Sequence, residues 1–140
     1  MPNLTKPKVK TIHVSGTRKK AVARATLRPG TGLVRINSKR LDLYEPKMAR
    51  LKLTEPLILS GEFADKVDID INIFGGGFMS QAEAARLAMA KALVEFSNGK
   101  LKKQFLDYDR TLLVADVRQR ETRKPNCAGS ARSKVQKSYR

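Results

Sequence analysis

Acidic residues are scarce in this 140-residue chain: 13 Asp and Glu stand against 29 Lys and Arg, a formal net charge of +16. Such an excess suits a phosphate-rich partner. The chain has one cysteine, Cys127, and one histidine, His13, which excludes an internal disulfide and argues against a Cys/His zinc site. No uninterrupted apolar run exceeds a handful of residues, Leu112–Ala115 being among the longest, so no membrane-spanning segment is expected. The opening Met1-Pro2-Asn3-Leu4-Thr5-Lys6-Pro7 lacks the apolar stretch of a signal peptide, and the expectation is a cytoplasmic protein without a membrane partner. With 41% hydrophobic residues, the chain has enough apolar material for one domain with a real core.

The missing acids are missing from particular places. Residues 1–28 hold eight basic side chains (Lys6, Lys8, Lys10, Arg18, Lys19, Lys20, Arg24, Arg28) and no acid. Residues 118–140 hold eight more (Arg118, Arg120, Arg123, Lys124, Arg132, Lys134, Lys137, Arg140) against Glu121 alone. Residues 29–117 are nearly neutral, with 13 basic and 12 acidic residues. One charge run is ordinarily a solvated face; two acid-poor ends carrying almost the whole excess favour anion binding. From Arg118 onward there is no Leu, Ile, Phe or Met, so this segment cannot offset a backbone ordering cost of about 1–2 kcal/mol per residue by burial. The expected organisation is a basic N-terminal extension (1–9), a globular RNA-binding domain (10–117) and an extended basic tail (118–140). Both ends are expected to be mobile in the free protein and to order on RNA.

The middle reads as a mixed α+β fold, a small sheet with packed helices. Residues 10–15 alternate polar and apolar, and Ala21–Leu27 suits a second strand, closed by a hairpin-type turn at Arg28-Pro29-Gly30-Thr31-Gly32. Leu33–Ile36 is a third short strand. Residues 41–59 are read as short helices interrupted near Pro56. The clearest strand is Lys66–Phe74, with Val67, Ile69, Ile71 and Ile73 on one face and Asp68, Asp70 and Asn72 on the other. After Gly75-Gly76-Gly77 comes the clearest helix: Ser80-Gln81-Ala82-Glu83 has the pattern of a capping box. Ala82, Ala85, Met89, Ala92, Leu93 and Phe96 recur at helical spacing, and Asn98-Gly99 supplies the stop. Residues 100–108 suit a further turn or two of helix, and Thr111–Val117 a last extended segment.

Few residues offer chemistry of their own. Gly75–Gly77, between strand and helix, could cradle a phosphate, but it matches neither the Walker pattern nor GxGxxG; a tight turn touching an RNA phosphate is the stronger reading. Asp68 and Asp70 are read as solvated or paired with Lys/Arg rather than as metal ligands. His13 is read as packed or RNA-facing, and Cys127 as an ordinary thiol. No catalytic set assembles, and no metal, cofactor or small-molecule substrate is expected.

Gly16-Thr17-Arg18-Lys19-Lys20-Ala21-Val22-Ala23-Arg24, the turn Pro29-Gly30-Thr31-Gly32, and Gly75-Gly76-Gly77-Phe78 with Gln81-Ala82 occur together in this order. They are followed by Asp109-Arg110, the basic stretch through Lys124-Pro125, and the ending Gln136-Lys137-Ser138-Tyr139-Arg140. Over essentially its whole length the chain resembles small-subunit ribosomal protein nine. Its Ser-Tyr-Arg ending and Tyr108–Asp116 resemble the archaeal and eukaryotic branch, and its length the archaeal members.

That resemblance implies a fold related to the second domain of ribosomal protein five, with a left-handed βαβ crossover. It also implies a place on the small-subunit head, with small-subunit rRNA, peptidyl-site tRNA and neighbouring ribosomal proteins as partners. Carried onto this sequence, Arg18, Lys19, Lys20 and Arg24 contact rRNA from the body, and Gly75, Gly76 and Gly77 allow close backbone approach. Arg118, Arg120, Arg123, Lys124, Arg132, Lys134 and Lys137 then line the path of the tail, and Ser138, Tyr139 and Arg140 reach the anticodon stem-loop of the tRNA. The stretch Asn126–Ser130 departs from the more basic or glycine-rich family pattern. Two alternatives belong to other classes: a nucleotide-dependent enzyme using the Gly75–Gly77 loop, and an RNA-processing accessory protein of related fold.

Overall fold

The computed structural model describes residues 11–127 and 129–132. Five strands form one mixed sheet: β1 (Ile12–Arg18), β2 (Ala21–Pro29), β3 (Val34–Ile36), β4 (Lys39–Arg40) and β5 (Val67–Phe74), in the spatial order β1-β2-β5-β3-β4. Three α-helices accompany them: α1 (Lys47–Ser60), α2 (Phe78–Phe96) and α3 (Lys102–Tyr108). Both β1 and β5 run antiparallel to β2, whereas β3 runs parallel to β5, so the fold is α+β with a parallel crossover through α1.

Alternation makes the sheet two-faced. Ala21, Ala23, Ala25 and Leu27 of β2, with Val67, Ile69, Ile71 and Ile73 of β5, are buried. Against them lies α2, whose Ala84, Ala85, Ala88, Met89, Ala92 and Leu93 are also buried. The small alanine side chains let helix and sheet approach closely, and Gly16 marks the tightest point. A Cβ there would collide with the Ala84 carbonyl and come within 2.8 Å of the Ala88 amide. The opposite face of the sheet, with His13, Arg24, Arg28, Arg35 and Asp70, is exposed.

Five expectations are corrected. The glycine-rich turn at 28–32 is no hairpin: β5 lies between β2 and β3, so the turn carries the chain across the end of β5. Asp68 pins it by accepting from the Thr31 amide at 2.8 Å and the Leu33 amide at 3.0 Å, a specific role rather than solvation. Those two backbone hydrogen bonds hold its carboxyl below the usual carboxylate range. Pro56 does not interrupt a helix; it lies inside α1 and is fully buried. One lost backbone hydrogen bond is tolerated where the ring fills the core. The capping box does not form either: α2 starts at Phe78 with Gly77 as its cap and no side-chain cap, because the backbone already turns into the helix at the glycines. Finally, Arg110–Leu112 is a 3-10 turn with Leu112 fully buried, not an extended segment.

Replacing Gly16 by alanine is expected to lower stability by about 1–3 kcal/mol, the usual cost of overpacking. Alanine at the exposed neighbour Ser15 should stay within about 0.5 kcal/mol of the parent. Chemical denaturation of the two variants measures the difference.

Candidate nucleic-acid interface

The root of the C-terminal segment meets the tip of the β1–β2 hairpin. Arg18 pairs with Ala21 across the strands, leaving Lys19 and Lys20 as a two-residue loop in which Lys19 takes φ 53°. Gly75 and Gly76 pack directly behind this loop. Both have positive φ (75° and 67°), and a Cβ on Gly75 would strike the Lys20 carbonyl, while one on Gly76 would come within 3.1 Å of the Ala21 amide. These two glycines are thus required by the fold itself. Gly77 differs: a Cβ there would meet nothing within 4 Å. The first turn of the 19-residue α2 behind it has no side-chain cap, so no capping side chain occupies its amide donors at the positive end of the helix dipole.

The tail root completes the arrangement. Gln119 Nε2 donates to the Lys19 carbonyl at 3.4 Å, which lays Gln119 and Arg120 beside the loop. Lys19, Lys20, Gly76, Gly77, Ser80, Gln119 and Arg120 together line an open cleft of about 250 Å³. Five expected rRNA contacts, far apart in sequence, converge here: Lys19, Lys20, Gly76, Gly77 and Arg120.

Arg18 is placed elsewhere. Its side chain is only 16% exposed, with Nε 2.7 Å from Glu83 and Nη1 3.3 Å from Asp116. Glu83 also receives Lys52 Nζ of α1 at 3.0 Å. A second chain of charges runs alongside: Glu55 of α1 to Arg86 of α2 at 2.7 Å, then Arg86 to Asp109 at 2.9 Å. Residues 109–116 are therefore fastened at both ends, Asp109 to Arg86 of α2 and Asp116 to Arg18 of β1. Sequence reasoning missed this double clamp. Its signal was the pair Glu83 and Arg86, three residues apart on an alanine-rich helix and facing Lys52 and Glu55, likewise three apart.

The clamp sets the protonation of its acids. Arg118 donates from its guanidinium and backbone to Asp116, and with the charge of Arg18 this holds the Asp116 carboxyl far below the ordinary range. For Glu83 and Asp109, burial alone would raise the pKa. Hydrogen bonds from Arg18 and Lys52, and from Thr111 and Arg86, outweigh it and leave both lowered.

Arg24 stands on the open sheet face, 5.4 Å above the centre of the Phe74 ring. Arg118 projects into solvent with its side chain 82% exposed although paired with Asp116. Arg123 and Lys124 are exposed. Arg132 turns back to Glu121 with bonds of 2.7 and 3.1 Å. The intervening loop is held by Lys124 N to the Ser130 carbonyl and Ser130 N to the Cys127 carbonyl. His13 is exposed, its Nδ1 3.2 Å from Thr26 Oγ1. Lys134, Lys137, Ser138, Tyr139 and Arg140, like Lys6, Lys8 and Lys10, lie outside the described residues. Among the described residues no cluster of three or more His, Cys, Asp or Glu could hold a metal ion, and no helix is long and apolar enough to cross a membrane.

The family model described as "Ribosomal protein S9/S16" matches residues 16–140. The chain belongs to this ribosomal protein family. Among its relatives, the "Small ribosomal subunit protein uS9" of Methanococcus maripaludis strain C7 is 50% identical over 134 residues, covering 94% of this chain and 100% of the relative. The protein of the same name from Methanococcus vannielii is 48% identical with the same coverage. Members of the S9 family are structural ribosomal proteins, and the relatives place the chain in the archaeal type. Membership in this family removes the nucleotide-dependent enzyme and the RNA-processing accessory protein as readings. The Gly75–Gly77 loop agrees with that outcome, since two of its glycines serve close packing.

The lowered carboxylates give the clamp a pH dependence. A group whose folded pKa is depressed stabilises the fold above its unfolded value, about 3.9 for Asp and 4.3 for Glu, and loses that contribution as pH falls toward the folded value. Thermal stability is therefore expected to be steady above about pH 5 and to fall progressively below it. In Glu83→Gln and Asp116→Asn the acid limb should be shallower, as melts recorded across pH would show.

Proposed function

We propose that this S9-family protein is a structural constituent of the small ribosomal subunit that grips rRNA backbone in the cleft between the β1–β2 loop and the start of α2. The observation that carries this reading is the convergence of Lys19, Lys20 and Arg120 on the uncapped amides behind Gly77. Cationic side chains and a helix N-terminus together favour a phosphate group, and such contacts position a protein without reading sequence. Arg24, stacked on Phe74, supplies a second exposed contact on the sheet face, while Arg18 serves by positioning the tail root rather than by touching RNA. Arg118, Arg123, Lys124, Arg132, Lys134 and Lys137 continue the path along rRNA. Residues 10–117 form the RNA-binding body, and residues 1–9 and 118–140 are extensions that order on RNA. Ser138, Tyr139 and Arg140 reach the peptidyl-site tRNA.

Binding of an rRNA head fragment should weaken steeply with salt, by roughly 0.7–0.9 log units of affinity per log unit of salt for each phosphate contact. Simultaneous alanine replacement of Lys19, Lys20 and Arg120 is expected to make that slope shallower by about two to three contacts' worth, with the fold intact. An unchanged slope in filter-binding titrations would place the phosphate contacts elsewhere. In the same titrations, Gly77→Ala tests close approach at the one glycine of the 75–77 loop with free space around it: affinity should fall while thermal stability holds.

Deleting Ser138–Arg140 is expected to leave subunit assembly intact and to weaken peptidyl-site binding of many tRNAs alike. The loss should be at most about 1.5–3 kcal/mol per charge-assisted contact, less where solvent screens it. Binding of several tRNAs to subunits carrying the truncated chain measures this, and affinity unchanged from the parent for all of them would leave the tip as solvated tail.

A further inference from the structure

Strand alternation puts Val22, Arg24, Thr26 and Arg28 of β2 on the open face of the sheet. Phe74, Asn72, Asp70 and Asp68 of β5 stand across from them in that order. The two acids of this face each meet an arginine: Asp68 is opposite Arg28, and Asp70 is opposite Arg35 of β3. Arg24 differs. Its cross-strand neighbours are Ser15 and Asn72, and among the described residues no carboxylate pairs with it. Its guanidinium lies instead over the Phe74 ring, 5.4 Å from the centre, and Phe74 is still 50% exposed. The result is a cation stacked on an aromatic ring, carried by two paired strands and open to solvent.

Aromatic rings and guanidinium planes are the surfaces on which single-stranded RNA stacks its bases. A paired base is covered on both faces by its neighbours and leaves only phosphates and groove edges to such a platform. An unpaired base can extend the stack. Asn72, exposed beside Arg24, has an amide donor and an acceptor for the edge of that base. The two cross-strand rows nearest the hairpin tip, Thr17-Val22-Phe74 and Ser15-Arg24-Asn72, contain no acid, so the flanking phosphates meet no carboxylate there. Phe74 leads directly into the Gly75–Gly77 loop, whose far side lines the cleft with Lys19 and Lys20. Two copies joined through this face would set Arg24 against Arg24. The described tail, 118–132, with five bases and one acid, is repelled by it. Resting on the ribosomal reading above, we infer that Arg24, Phe74 and Asn72 form a binding site for an unpaired RNA nucleotide. The base stacks on the Arg24–Phe74 pair with its edge at Asn72.

The test compares binding of the full-length chain to two RNA stems of equal phosphate number, one fully paired and one carrying a three-nucleotide bulge. The parent is expected to favour the bulged stem by roughly 5- to 100-fold, the worth of one stacked base. Phe74→Ala should lose that preference. Phe74→Leu, which keeps an apolar side chain opposite Val22 but has no ring, should lose it as well, and Phe74→Trp should keep it. Because the chain has no tryptophan, Phe74→Trp is also its own reporter: the bulged stem should quench its emission and the paired stem should not. No preference in the parent, an undiminished preference in Phe74→Leu, or equal quenching by both stems overturns the inference. Failure of the parent to bind either stem overturns the ribosomal reading with it. In small subunits reconstituted with Phe74→Leu, one or two unpaired rRNA nucleotides should become more reactive to 2′-hydroxyl acylation than with the parent chain. An unchanged pattern, the outcome for a face covered by protein, overturns the inference.

Discussion

Two arginines from the folded body, Arg18 and Arg86, hold two aspartates of the C-terminal segment, Asp116 and Asp109, and the geometry of the candidate interface follows from that. Each arginine is mostly buried and is shared with a glutamate, Arg18 with Glu83 and Arg86 with Glu55. The charges therefore balance across α1, α2, β1 and the chain beyond α3. Partly buried charges of this kind contribute only when every partner is present, because an arginine left alone at such a site keeps its desolvation cost without its compensation. The clamp fixes where the chain leaves the body, and that placement brings Gln119 and Arg120 to the hairpin loop. Without it, Lys19 and Lys20 would still be a basic loop, but the third cation would have no fixed place beside them.

The second constraint is steric. Gly16 lets β1 lie against the backbone of α2, and Gly75 and Gly76 let the turn into α2 lie against the backbone of the β1–β2 loop. The same helix is thus drawn close at its middle and at its start. With its first turn so near the hairpin tip, α2 needs no side-chain cap to be positioned, and its amides stay available to an anion. Packing and electrostatics here are two results of one close approach.

Charge is segregated by element rather than spread. The cations of the hairpin loop, the sheet face and the tail root stand free or only lightly paired. Several acids of the body are consumed in holding it together: Asp68 on the 31–33 turn, Glu83 and Asp109 in the clamp, Glu55 with Arg86.

Much of this was legible in the sequence, because alternation and helical spacing are local properties. The β5 pattern of Val67, Ile69, Ile71 and Ile73, the alanine-rich face of α2 and the Asn98-Gly99 stop all stand where periodicity puts them, and the nearly neutral middle between basic ends needs no structure to be seen. What sequence could not decide were matters of distant partners. The 28–32 turn looks like a hairpin until β5 arrives 37 residues later to occupy the place beside β2, and Asp68 looks solvated until the Thr31 amide is beside it. Pro56 reads as a break because its missing donor is local, whereas the burial that offsets it is tertiary. Glu83 has the spacing of a capping residue, but Arg18, 65 positions away, is its partner. Arg18 itself is indistinguishable from Lys19 and Lys20 in a basic run. Only the fold turns one inward to a carboxylate and leaves the other two facing solvent, because strand alternation and hairpin geometry give adjacent residues opposite surroundings.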